Sequence, residues 1–141
     1  MHSTNDIRIE PVRSGPAYQA YLLLRFTFTI APIIAGLDKF FYFLTRWDQY
    51  LSPTFNVFHN IHAVMIVVGI IEIIVGIGVA IKPKIFSYIV AIWLIIIIIN
   101  LIILGQFWDI ALRDLGLLLS VLALSRLSHV YDFCHRCKSK A

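Results

Sequence analysis

Two apolar runs, Ile61–Ile81 and Ile85–Leu104, are separated only by Lys82-Pro83-Lys84. Each is about the 20 residues that a helix needs to cross the ~30 Å hydrocarbon core of a bilayer. The second run is rich in isoleucine, which suits strands, but a lone strand in lipid leaves its backbone groups unpaired, so helix is the expected form. Two such runs joined by a tight turn, with Pro83 stopping the first, restrict the chain to membrane folds. Composition agrees. Hydrophobic residues make up 60% and charged residues 14%, with mean hydropathy +0.84, against ~45–50% and ~25% in soluble domains. A soluble enzyme and a disordered chain are thereby excluded. The net charge is +4 and the pI near 9.3, but the cations cluster at the edges of the apolar runs and not along an aromatic-bearing face. Nucleic acid is not an expected partner.

The 141 residues suffice for one domain. Residues 1–17 form a polar lead with Pro11, Gly15 and Pro16, and it does not read as a cleavable signal. A first span is expected over residues 18–40, with Pro32 tolerated inside it. Residues 41–60 form a long aromatic loop suited to the headgroup level, broken at Pro53. Spans follow at 61–81, 85–104 and 107–127, and residues 128–141 form a basic Cys/His tail. The fourth span is the weakest, because Leu115–Leu124 alone is too short to cross and the helix must take in Asp109, Arg113 and Asp114. The expected fold is all-α, an integral membrane four-helix bundle. With both termini inside, the inner side holds eight Lys and Arg and the outer side only Lys39 and Arg46, which supports N-in, C-in.

Reading each helix at intervals of three and four residues reveals polar stripes. Arg25, Thr29, Pro32, Gly36 and Lys39 share one face of the first helix, and His62, Met65, Gly69, Glu72, Gly76 and Ala80 one face of the second. Asp109, Arg113, Gly116, Ser120 and Ala123 share one face of the fourth, and Asn100 lines up with Trp93 and Phe86 on the third. Charges that fall in line with small residues are expected at helix–helix interfaces, because small residues allow close approach. At ~1.5 Å per residue, Arg25 and Glu72 come within about 4 Å of the same depth. A buried charge in a membrane helix is costly, so the two are expected to pair. A protonatable Glu72 in proton or quinone chemistry and an ion or substrate path are the alternatives. Asp109 and Arg113, spaced i, i+4, suit a local pair.

Cys134 and Cys137 form a C-x-x-C with His129 and His135 nearby. Half a zinc site, a redox dithiol, or two free or lipid-modified thiols on a flexible tail all fit that spacing. His59 and His62 could share a metal, but interfacial hydrogen bonding is the commoner use, and only His62 lies on the Glu72 stripe.

The stretches LLLRFTFTIAPIIAGLDKFF, VGIIEIIVGIGVAI and FWDIALRDLGLLLSVLAL, in that order, resemble the DoxX-like family of small four-helix membrane proteins. The resemblance covers residues 20–127 through an Arg…Gly-x-x-Lys first helix, a Gly-x-x-Glu…Gly second helix and an acidic start to the fourth. The matching positions are Arg25, Gly36, Lys39, Gly69, Glu72, Gly76 and Asp109. The aromatic loop and the cysteine tail depart from it. The resemblance implies a redox connection, since relatives include the membrane subunit of a thiosulfate:quinone oxidoreductase and partners in oxidant-defence complexes.

The leading expectation is therefore an accessory or anchor subunit of a quinone-linked membrane redox system, with a protein partner or a homo-oligomer in the bilayer. The expected location is a bacterial inner membrane. No catalytic residue is assigned. Glu72, His62, Asn100 and Asp114, with the aromatics of residues 40–58, are the candidates for a proton or quinone site. Buried charge pairing is expected among Arg25, Glu72, Lys39, Asp109 and Arg113. The sequence carries no haem or flavin motif, so any electron carrier would be a partner's. A purely structural scaffold and a small transporter or channel subunit are the competing readings.

Overall fold

The computed structural model describes residues 15–55 and 60–138, with backbone alone at residue 55 and at 132–138. Among these residues lie four α-helices and no strand: α1 (Pro16–Phe41), α2 (Ile61–Ile81), α3 (Pro83–Leu104) and α4 (Trp108–Lys138). Two short 3-10 turns, Trp47–Tyr50 and Pro53–Phe55, lie between α1 and α2. Helices α1, α2 and α3 are long and apolar enough to cross a membrane. Their outer faces present side chains such as Leu23, Phe26, Ile74 and Ile92, all well exposed, as contact with lipid requires.

Local chemistry sets the boundaries. Pro16 opens α1 and Pro83 opens α3, at positions where the missing N–H leaves no hydrogen bond unmade. Pro83 thus begins a helix, and α3 starts two residues before the expected Ile85. Lys82 closes α2 through its N–H to Gly78 O and serves at the same time as the residue preceding α3. Asn60 caps α2, its side-chain oxygen accepting from Ala63 N at 3.2 Å. Gly105, at φ +70, ends α3 by giving its N–H to the carbonyls of Leu101 and Ile102. The main departure from expectation is α4, which continues to Lys138 through much of the expected tail. The chain has no glycine or proline after Gly116 to stop it.

Packing is most extensive between sequence neighbours, α1 on α2 and α3 on α4. The α1–α2 seam is where the small residues act. A Cβ on Gly36 would lie 2.5 Å from Gly69 O, and one on Gly69 would lie 2.7 Å from Gly36 O. Gly76 meets Ile33 and Thr29 O in the same way. Backbones approach that closely only where neither side carries a side chain. The α4 stripe behaves otherwise. Asp109, Arg113, Gly116 and Ala123 are exposed, and a Cβ on Gly116 would meet nothing within 4 Å. The expected contact of this stripe within the bundle is not made, because α4 turns Ala111, Asp114, Val121, Leu124 and Ser125 inward instead.

Candidate functional site

The polar centre of the molecule lies between the second half of α1 and the middle of α2. Gly36 and Gly69 bring the two backbones together, and Lys39 and Glu72, each three residues further on, meet across the seam. Lys39 Nζ lies 2.6 Å from Glu72 Oε2, with side chains only 4% and 11% exposed. The ammonium also sits 3.7 Å from the ring centroid of Trp47, so an aromatic face covers the side away from the carboxylate. Trp93 Nε1, from α3, is buried without a direct hydrogen bond.

Asp38 holds Trp47 in place. Its Oδ2 accepts from Trp47 Nε1 at 2.7 Å, and its Oδ1 accepts from the backbone N–H groups of Phe43 and Leu44 at 2.9 and 2.8 Å. An acidic residue in the last turn of a helix opposes the macrodipole. Here it satisfies the N–H groups of a chain that reverses through Tyr42, a non-glycine residue at φ +55. Asn100 secures the same loop from α3: its Nδ2 donates to Tyr50 O at 2.5 Å and its Oδ1 accepts from Ser52 N at 2.9 Å. Tyr50 in turn packs edge-on against Phe107 at 4.8 Å. The loop is thus folded down over the Lys39–Glu72 pair.

Beside this lid, Tyr42 OH donates to Asp48 Oδ1 at 2.8 Å and lies 2.9 Å from His62 Nδ1, with the two rings stacked. Burial, and then the hydrogen bond and charge of Asp48, push the Tyr42 phenol up to about 12.

The expected Arg25–Glu72 pair does not form. Arg25 donates to Ala80 O and, at 3.4 Å, to Tyr21 OH. Ala80 lies eight residues beyond Glu72 along α2, about 12 Å of helix axis. The first turns of α1 extend past the end of α2, and Arg25 is level with that end. The expected Asp109–Arg113 pair is also absent. Arg113 Nε lies 3.3 Å from Asp114 Oδ1, while Asp109 is exposed.

Each candidate quinone residue has a partner of its own. Glu72 is committed to Lys39, Asn100 to the loop, His62 to Tyr42, and Asp114 to Arg113. His129 packs edge-on to Tyr88 at 6.3 Å. The side chains of Cys134, His135 and Cys137, and all of His59, lie outside the described residues. Among the described residues no group of three or more His, Cys, Asp and Glu is placed to hold a metal ion.

One central residue carried no functional reading at the sequence level, Asp38; Trp47 was read only as one of the loop aromatics. The usable signal for Asp38 was its position: a carboxylate one turn before a helix end, where only a local acceptor role favours it. Comparison with protein-family models, with curated proteins and with solved structures gives no match.

Proposed function

We propose that this chain is an accessory or anchor subunit of a membrane redox system, a four-helix membrane protein with both termini on the cytoplasmic side. The observation that carries the anchoring role is the engagement of Lys39, Glu72 and Asn100 with partners inside the fold. Lys39 and Glu72 neutralise each other at 2.6 Å, and both ends of the Asn100 amide bind the loop. Groups used in this way build a rigid support and do not present an open reaction centre. The redox character of the partner rests on the resemblance to the DoxX-like family. Asp109 and Arg113 support a partner or a second copy, because exposed charges on a helix of spanning length favour cover by protein or water.

The test is gentle affinity purification of the full chain from membranes in mild detergent, followed by mass spectrometry and quinone extraction. A co-purifying oxidoreductase or quinone is the expected result. A bare oligomer favours the scaffold reading and ends the redox one, and ion flux through purified protein in vesicles favours the transporter reading. Reporter fusions at Ala141 and near Pro53 check the orientation, with a cytoplasmic signal at the first and an external one at the second.

A further inference from the structure

The end of the bundle remote from the loop carries a second feature, unrelated to the ion pair. A groove of about 300 Å³ runs between α1 and the end of α2, lined by Leu22, Arg25, Phe26, Thr29 and Ala80. Leu22 and Phe26 are 44% and 66% exposed, so its apolar wall faces the surroundings of the helices. Among the described residues Arg25 is the one charged residue lining the groove, and its hydrogen bonds to Ala80 O and Tyr21 OH hold the guanidinium there. A guanidinium has five N–H donors, so two bonds leave capacity for an anionic ligand.

The charge around the groove is mainly positive. Residues 15–30, 77–90 and 117–131 contribute Arg25, Lys82, Lys84 and Arg126 to this end, and the nearest acidic position in the described helices is Asp132, at the next position of α4. Lys82 and Lys84 are exposed and follow Ala80 by two and four residues. A cationic head with an apolar channel running from it along the membrane-facing surface matches an amphiphile with an anionic head and a hydrocarbon chain.

We propose that this groove binds one anionic phospholipid, its phosphate on Arg25 with Lys82 and Lys84 on the aqueous side and an acyl chain running along Phe26 and Thr29 toward the middle of α1. Basic recesses between membrane helices select anionic headgroups in this way. The site is independent of the redox reading, and it holds whichever partner the protein anchors.

The test is native mass spectrometry of the full chain released from vesicles containing equal amounts of dioleoylphosphatidylglycerol and dioleoylphosphatidylcholine. The wild type retains phosphatidylglycerol in preference, by about fivefold for each contributing cation. Arg25→Gln reduces that preference by about the same factor, and Lys82→Gln with Lys84→Gln reduces it further. Arg25 also caps α2, so a second variant protects the test from a folding defect. Phe26→Ser removes the apolar wall, leaves every cation in place and, at a position 66% exposed, is expected to weaken the adduct in a normally folded protein. Equal retention of the two lipids by the wild type overturns the proposal, as does full preference in Phe26→Ser. Loss of the adduct on adding millimolar inorganic phosphate also overturns it, because it would identify a free-phosphate site in which the acyl chain takes no part.

Discussion

At the loop end of the bundle polar side chains bond across the fold, whereas at the remote end they mostly bond back to their own helix. Lys39 reaches Glu72 over 33 positions, and Asn100 reaches Ser52 and Tyr50 over 48 and 50. At the other end Ser87 donates to Pro83 O and Ser128 to Leu124 O, four residues back in each case. Apart from Arg25 on the Ala80 carbonyl, what joins the helices there is apolar and aromatic: Tyr131 packs against Tyr18 and Tyr21 at 5.2 and 5.4 Å. The charges divide in the same manner, with Lys39 and Glu72 enclosed and Lys82, Lys84 and Arg126 exposed. The difference teaches where specificity resides. Long-range polar bonds fix one register of α1 on α2 and one position for the loop, while the remote end keeps its cations available to whatever surrounds the protein.

The largest expected effect is at the ion pair. Lys39→Met or Glu72→Gln alone strands the opposite group and is expected to lower stability by about 3–5 kcal/mol. The double change Lys39→Met, Glu72→Leu is expected to recover most of that loss, since replacing both partners of a buried pair is often close to neutral. Chemical unfolding in detergent measures all three. Singles that cost no more than an exposed substitution would show that the loop end is not held by this pair.

The spans at α1, α2 and α3 could be read from the sequence because they depend on local hydrophobicity, and so could the α1 and α2 stripes, because helical periodicity is local too. Gly36, Gly69 and Gly76 do make the close seam that their spacing suggested. The pairing across that seam could not be read, because periodicity gives the face of a helix and leaves its axial offset open. Glu72 meets Lys39, fourteen residues and about 21 Å of helix axis beyond Arg25. The loop was harder still. Its fold depends on Asp38 accepting two backbone N–H groups around a left-handed Tyr42, and residues 42–44 carry no glycine to announce the reversal. The α4 stripe shows the opposite failure, where a periodic pattern of small residues met no neighbour within the chain.

Asn100→Leu is the next effect in size. It removes two hydrogen bonds and leaves Tyr50 O and Ser52 N in need of partners, at a cost of about 1–3 kcal/mol. The loss is expected to be local. Amide hydrogen exchange of residues 47–53 accelerates while the helices stay protected. Uniform acceleration throughout the chain would mean that the loop and the helices unfold as one unit.

A smaller effect separates the two ends by pH. The Tyr42 phenol titrates near 12 in the folded protein, against ~10 in an unfolded chain. The folded state therefore holds a proton that the unfolded state gives up between those values. The Tyr42 contribution is complete below pH ~10 and is lost as pH rises through about 12. Tyr42→Phe cannot ionise, so its alkaline destabilisation is expected to be shallower than that of the wild type over that interval. Identical alkaline unfolding of the two proteins would show that the phenol is not restrained by burial and Asp48.

Arg25→Gln is expected to give the smallest change, within about 1 kcal/mol, although it removes a charge from a membrane helix. Arg25 is only half-buried, it faces an apolar groove, and no carboxylate is stranded by its removal. The glutamine amide keeps an N–H donor for the Ala80 carbonyl, and neutralising the side chain removes part of the cost of placing a cation beside lipid. Unfolding in detergent, run beside Glu72→Gln, gives the contrast directly. A large gap between the two variants means that charge is structural at the loop end and available at the remote end. If Arg25→Gln instead cost as much as Glu72→Gln, both ends would be held by long-range polar bonds, and the division between them would fail.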